Sequence, residues 1–214
     1  MSISDAAVAL VCDLDGVVRH YDTAAQAAVE ARYGLTEGAI RVACFSSPLL
    51  SDAISGRVSD RQWREAAAQT LTALAGEAAA EALREWSDLP VALAADVLDL
   101  VAQVREQYPV ILFTNATDRL ADDLERLGIG QAFDAIVNTS AVGTPKPGRA
   151  AFEAAAAAVG RVLDRQAPPE TIAFVDDTSG HVVAAQALGW RGHVFLDAPS
   201  LRDFLDDCGL LRRA

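Results

Sequence analysis

Basic residues are scarce in this chain. It has 18 lysines and arginines against 30 aspartates and glutamates, a formal net charge of −12 over 214 residues. That balance disfavours nucleic acid and anionic lipid as partners. Long apolar runs are also missing. Hydrophobic residues make up 51%, much of it alanine, but no run approaches the roughly 18 residues of a spanning helix, so no membrane is expected. The opening Met-Ser-Ile-Ser-Asp lacks the basic region of a signal peptide. Cysteines are few and scattered: Cys12, Cys44 and Cys208 form neither a disulfide framework nor a zinc pattern. Cys12 reads as a small core residue. No internal repeat is present. The expectation is a cytoplasmic protein of a reducing compartment, monomer or homodimer, large enough for one domain or a domain plus an insert.

What is present is organised around residues 8–18, V-A-L-V-C-D-L-D-G-V-V. A short apolar run ending at a Gly turn reads as a strand buried on both faces. Residues two apart on a strand point the same way, so Asp13 and Asp15 should meet at its carboxyl end. Open α/β sheets bind ligands at that edge. Clustered carboxylates repel unless a cation or a proton separates them. Three later apolar runs end in usable polar groups: 110–113 before Thr114 and Asn115, 135–137 before a loop carrying Lys146 between two prolines, and 172–175 before Asp176 and Asp177. In a parallel sheet these ends share one edge.

The ordered set D-L-D-G-V at 13–17, T-N at 114–115, K-P at 146–147 and D-D at 176–177 resembles the motifs of the haloacid dehalogenase-like hydrolase superfamily. The long insert after the first motif resembles the helical cap of its phosphoglycolate phosphatase and β-phosphoglucomutase branch. The resemblance implies a three-layer α/β core, Rossmann-like, with the first strand central beside the second and fourth. It also implies a Mg²⁺-dependent phosphatase acting on a small phosphorylated metabolite. Asp13 would be the nucleophile, forming an aspartyl-phosphate, and Asp15 the general acid and then base, starting protonated. Thr114 and Asn115 would hold the phosphoryl oxygens and Lys146 would neutralise charge. The Asp13 carboxylate, the Asp15 backbone carbonyl and Asp176 would hold the metal, with Asp177 as a further or alternative ligand. Hard oxygen ligands suit Mg²⁺. A phosphomutase, or a relative that binds without turnover, are the competing readings. Dehalogenation is set aside, because haloacid dehalogenases resemble this chain yet lack an acid two residues after the nucleophile and use no metal.

The rest of the chain reads as helices and strands in alternation, interrupted once. Residues 22–90 are helical in pattern throughout, with helices expected at 23–32 on an alanine face (Ala24, Ala27, Ala28, Ala31), 36–41, 49–54, 61–75 and 77–86. This divides the chain into a discontinuous core, 1–20 and 91–214, and a cap, 21–90. In the core, helices are expected at 94–107, 117–127 capped by Thr117 or Asp118, 149–160, 179–188, and from Ser200 to residue 208. A fifth strand is expected at 191–195. Arg19 and His20 read first as solvated linker residues, with reach into the cleft as the alternative. His181 stands where the branch often has Asn. It reads first as a polar residue near a helix start, with a hydrogen-bonding role behind the metal ligands as the alternative. His193 and the tryptophans Trp63, Trp86 and Trp190 read as packing. Substrate choice is expected in the cap, at Phe45, Ser46, Ser47 and Arg57, the last as a partner for a second anion on the substrate.

Overall fold

The structure is a computed structural model, and it describes residues 6–211. The opening pentapeptide, read above for leader character, lies outside them.

Three apolar runs become the centre of a parallel sheet, and a fourth becomes an edge strand. β1 (Ala9–Cys12), β4 (Val110–Thr114) and β6 (Ile172–Asp176) are buried along their whole length. β5 (Ala135–Asn138) and β7 (Arg191–Val194) flank them, and the order is β5-β4-β1-β6-β7. β1 pairs with both β4 and β6, placing Cys12 beside Leu112 and Val175. The expected central first strand is therefore observed. Strands covered on both faces need apolar side chains in both directions. Leu10 and Cys12 face the cluster built on α6 (Ala95–Arg105) and α11 (Ala198–Asp207). Ala9 and Val11 face the one built on α9 (Arg149–Leu163) and α10 (Ser179–Ala187). These are the three layers. The second cluster is rich in rings: Phe113, Phe152, Phe174 and Trp190 meet edge to face at centroid distances of 5.4–5.9 Å.

Between β1 and β4 the chain leaves the sheet through β2 (Arg19–Tyr21), builds five helices and returns through β3 (Val91–Leu93). β2 and β3 pair antiparallel, Arg19 with Leu93 and Tyr21 with Val91. The sequence reading had a solvated link at 19–21; it is a strand, and Arg19 is 5% exposed. The helices are α1 (Thr23–Arg32), α2 (Ala39–Phe45), α3 (Leu49–Ile54), α4 (Asp60–Ala75) and α5 (Ala78–Ser87). They share a core of their own, with Ile40, Ala53, Trp63, Ala67, Leu71 and Leu83 buried in it.

Several local expectations shift. The helix expected at 36–41 lies at Ala39–Phe45, so Phe45 closes it. Glu30, on α1, accepts from the Gly38 and Ile40 amides at 2.6 and 2.8 Å and so satisfies the start of α2. The alanine stripe of α1 is not its buried face; Val29 and Glu30 are. Leu74, near the end of α4, is 74% exposed. Thr117 and Asp118 do not cap α7 (Leu120–Leu127); both bond instead to Asp60 at the start of α4. Asp197 rather than Ser200 caps α11, in a reciprocal box with Ser200. No helix among the described residues is long and apolar enough to cross a membrane.

Candidate active site

The carboxyl ends of β1, β4 and β6 converge as their shared edge requires. Asp13 directly follows β1, and its amide donates to Val175 O at 3.0 Å. Its Oδ1 accepts from the Leu14 amide at 2.8 Å. Asp176 ends β6, fully buried. Lys146 reaches between them from the loop after α8 (Thr139–Val142). Its Nζ lies 2.9 Å from Asp13 Oδ1 and 2.6 Å from Asp176 Oδ2, and donates to Phe113 O at 3.0 Å. A buried ammonium with three oxygen partners is a fixed charge, and the Phe113 and Phe174 rings beneath it shut out water.

Asn115 holds that loop in place. Its Oδ1 accepts from the Lys146 amide at 2.8 Å, and its Nδ2 donates to Lys146 O at 3.1 Å. The side chain expected to support phosphate instead clamps the backbone of the lysine. Thr114, the last residue of β4, is buried and faces the same cavity.

Asp15 is half-buried on the cavity wall. Both of its oxygens are taken by Arg19, by Nε at 2.6 Å and Nη2 at 2.9 Å. Arg19 lies over the Tyr21 ring and reaches Asp123 on α7 at 3.4 Å. In the sequence, reach into the cleft is only the second choice for Arg19 and His20; the structure places both on the cavity wall. The signal was the four-residue spacing from Asp15, which the tight turn of 14–19 closes through Val18 and Arg19 amides donating to Leu14 O. Gly16 makes that turn at a φ of +81°, and a β-carbon built there would lie 2.1 Å from Asp177 Oδ2.

His181 was read first as a cap-region residue. Its Nδ1 lies 3.0 Å from both oxygens of Asp176. Donor atoms of Asp13, Asp176 and His181 lie within 4.8 Å of one another. Asp177, expected as a further ligand, is exposed; it packs against the Gly16 turn and accepts from Thr178 Oγ1.

The electrostatics follow from burial. Burial pushes the Asp13 carboxyl up; Lys146 pulls it down and Asp176 pushes it up again, leaving it above the usual carboxylate range. Burial also opposes charge on Asp176, but the His181 and Lys146 hydrogen bonds outweigh it and hold it below that range. On Lys146 burial favours the neutral amine, and the attraction of Asp13 and Asp176 more than offsets it. Two buried carboxylates thus share one ammonium, which leaves negative charge that a cation would neutralise.

Above these residues lies a cavity of roughly 760 Å³ between the sheet edge and the helices α1–α5. Phe45, Trp63 and Trp86 form part of its upper wall. Ser46, Ser47 and Arg57, expected there, are not in the lining. Arg57 instead pairs with Asp52 at 2.7 Å and Ser51 at 3.2 Å.

Solved structures share this fold. A haloacid dehalogenase-like family hydrolase from Porphyromonas gingivalis superposes with a TM-score of 0.68 at 22% identity, over 93% of this chain and 98% of that one. A haloacid dehalogenase-family enzyme of Bacteroides thetaiotaomicron, in complex with magnesium and inorganic phosphate, gives 0.64 at 18% identity over 87% and 93%. The L-2-haloacid dehalogenase of Xanthobacter autotrophicus gives 0.59 at 22% over 86% and 75%. No curated protein matches the chain. The model of the haloacid dehalogenase-like hydrolases matches residues 8–189, a span that includes Asp13, Lys146 and Asp176; the chain belongs to this family.

Proposed function

We propose that the protein is a Mg²⁺-dependent phosphatase of small phosphorylated metabolites, working through an aspartyl-phosphate on Asp13. The observation that carries this is the buried Asp13–Lys146–Asp176 cluster, reached through Asp13 from a cavity whose wall also holds the Asp15 carboxylate. The leftover negative charge and the oxygen-rich donor set fit a hard divalent cation. Asp13, the Asp15 carbonyl and Asp176 would hold it, and His181 would orient Asp176 from behind. When bound, the ion supplies positive charge to the phosphoryl oxygens and to Asp13.

The chain's own groups do the rest. Lys146 keeps Asp13 fixed and offsets charge as the phosphoryl group approaches. Asp13 attacks phosphorus, the bond to the leaving oxygen breaks, and that oxygen takes a proton from Asp15. Asp15 then accepts a proton from the water that hydrolyses the aspartyl-phosphate. The two-point Arg19 contact suits the ionised Asp15 of this second half. Donation in the first half requires one Asp15 oxygen to come free of Arg19. A halide leaving group needs no such proton, so Asp15 favours phosphoryl transfer over dehalogenation. Residues 21–90 act in this reading as the cap that excludes water from the intermediate. The magnesium and phosphate complex of the Bacteroides thetaiotaomicron relative supports the same chemistry.

The test is phosphate release from an aryl phosphate and a panel of metabolite phosphates, with Mg²⁺ and with chelator, for wild type and Asp13→Asn. Metal-dependent release that vanishes in Asp13→Asn is expected. Release that survives the substitution would sink the assignment, and isomerised sugar phosphate without release would indicate a mutase.

A further inference from the structure

Arg19 holds both oxygens of Asp15, at 2.6 and 2.9 Å. A guanidinium only donates, so an oxygen that faces it serves as an acceptor. To reach a leaving group, Asp15 must swing at least one oxygen out of this grip. That move strands the arginine. Arg19 is 5% exposed, and a buried cation stripped of its partner is strongly destabilised.

The structure offers the guanidinium a second seat. Asp123, half-buried on α7, presents its Oδ2 to Arg19 Nη1 at 3.4 Å. This is longer than a good hydrogen bond, so the contact has room to tighten. The other Asp123 oxygen is already occupied. Its Oδ1 accepts from Arg119 Nε at 2.9 Å and from Arg126 Nη2 at 2.8 Å. These two arginines lie a turn to either side of Asp123 and fix its carboxylate with Oδ2 turned to Arg19. The Arg19 guanidinium also lies over the Tyr21 ring, 5.5 Å from its centroid. A planar fork can shift across a flat ring without losing that contact. Arg19 thus has one tight acidic partner, four residues before it, and one loose partner, 104 residues after it.

We infer that Asp123 is a positioning residue for the proposed reaction: it takes up the Arg19 guanidinium while Asp15 turns to the leaving oxygen, and yields it when Asp15 swings back. This rests on the phosphatase reading. Asp123 acts only through Arg19 and touches no reacting atom. Its effect belongs to the first half of the reaction, in which the leaving oxygen takes its proton.

Two esters of similar size separate that step from the rest. The 4-nitrophenolate of 4-nitrophenyl phosphate departs as a stable anion, whereas the benzyl alkoxide of benzyl phosphate needs the proton. With a covalent intermediate, kcat/KM reads only the steps up to loss of the leaving group, so hydrolysis of the shared aspartyl-phosphate does not enter. Both esters are measured at saturating Mg²⁺ for wild type, Asp123→Asn and Asp123→Glu. In Asp123→Asn the kcat/KM ratio of benzyl to 4-nitrophenyl ester should fall roughly tenfold, the worth of one charge-assisted hydrogen bond. Asp123→Glu keeps the charge within reach of Arg19, and its ratio should stay within about twofold of wild type. Asn has the shape of Asp, so thermal melting should show a folded protein. A loss of packing would slow both esters together and leave the ratio in place. An unmoved ratio in Asp123→Asn, or a Glu variant that falls as far as Asn, would overturn the role of Asp123. The two readings fail differently. Wild type that releases phosphate from neither ester removes the phosphatase and this inference with it; release from both with an unmoved ratio removes this inference alone.

Discussion

Lys146 stands between two buried carboxylates, 2.9 Å from Asp13 and 2.6 Å from Asp176. Breaking a buried ion pair by removing one partner costs about 3–5 kcal/mol, because the remaining charge stays dry. In Lys146→Met the two acids would face each other unless Asp13 took up a proton, and the buried Asp176 charge would in either case have lost its ammonium. Thermal melting should show a clear loss of stability, and phosphate release should fall by roughly 10²–10³, as when a fixed transition-state charge is removed. Full activity in a stable Lys146→Met protein would contradict its place in the chemistry. His193 makes the opposite case. Its Nε2 is buried without a partner, its ring stacks on Phe204 at 4.8 Å, and burial lowers its pKa despite Asp197 nearby. A His held neutral in the fold but free to charge when unfolded draws protons to the unfolded state. Its contribution is present above the ordinary value near 6.5 and is lost as pH falls from there through the lower folded pKa. Denaturant titrations at pH 7.5 and 5.5 should therefore show a smaller acid loss for His193→Phe than for wild type. At the lower pH the variant should be more stable by about 1 kcal/mol, since the orphaned nitrogen is gone.

Glu30 joins two helices. It sits 4% exposed on α1 and accepts the amides of Gly38 and Ile40, groups that the start of α2 would otherwise leave unpaired. Glu30→Ala should cost about 2–3 kcal/mol, since one buried and one half-buried donor lose a charged acceptor. Glu30→Gln should recover part of that, because an amide oxygen can still accept. If Ala and Gln variants melt together at the wild-type temperature, the contact does not hold the helices. This element also shows where the sequence was legible and where it was not. The sheet was readable because β1, β4 and β6 are buried on both faces and so are apolar at every position. Their ends were readable because Asp13, Thr114 and Asp176 interrupt those runs abruptly. The helices of 21–90 were readable as helices but not as packing. Alanine stripes recur on several sides of α1, so periodicity did not reveal that Val29 and Glu30 face inward. Nor could local spacing show that Thr117 and Asp118 bind Asp60, some 57 or 58 residues away in sequence, instead of capping their own helix. At the site, motif residues were found one by one, whereas Arg19 and His181 were undervalued, because their importance lies in a turn that folds them back onto Asp15 and Asp176.

The whole molecule carries a net charge of −12, yet its proposed substrates are anions. Long-range and short-range electrostatics therefore oppose each other. Far from the cleft, an approaching phosphate ester meets a negative field. Inside it, a divalent cation held by Asp13 and Asp176 would join Lys146 in reversing the sign over a few ångströms. Salt screens the first over a Debye length of about 10 Å at 0.1 M and affects the buried contacts far less. Capture of substrate should thus become easier as repulsion is screened. With Mg²⁺ saturating, kcat/KM for a dianionic ester should rise roughly twofold between 10 and 150 mM salt, while kcat changes little. A doubly charged substrate should respond more than a singly charged one. The opposite slope, a fall in kcat/KM over this range for both, would mean that a positive field around the cleft mouth governs encounter. In that case the acidic surface would lie too far from the entrance to matter.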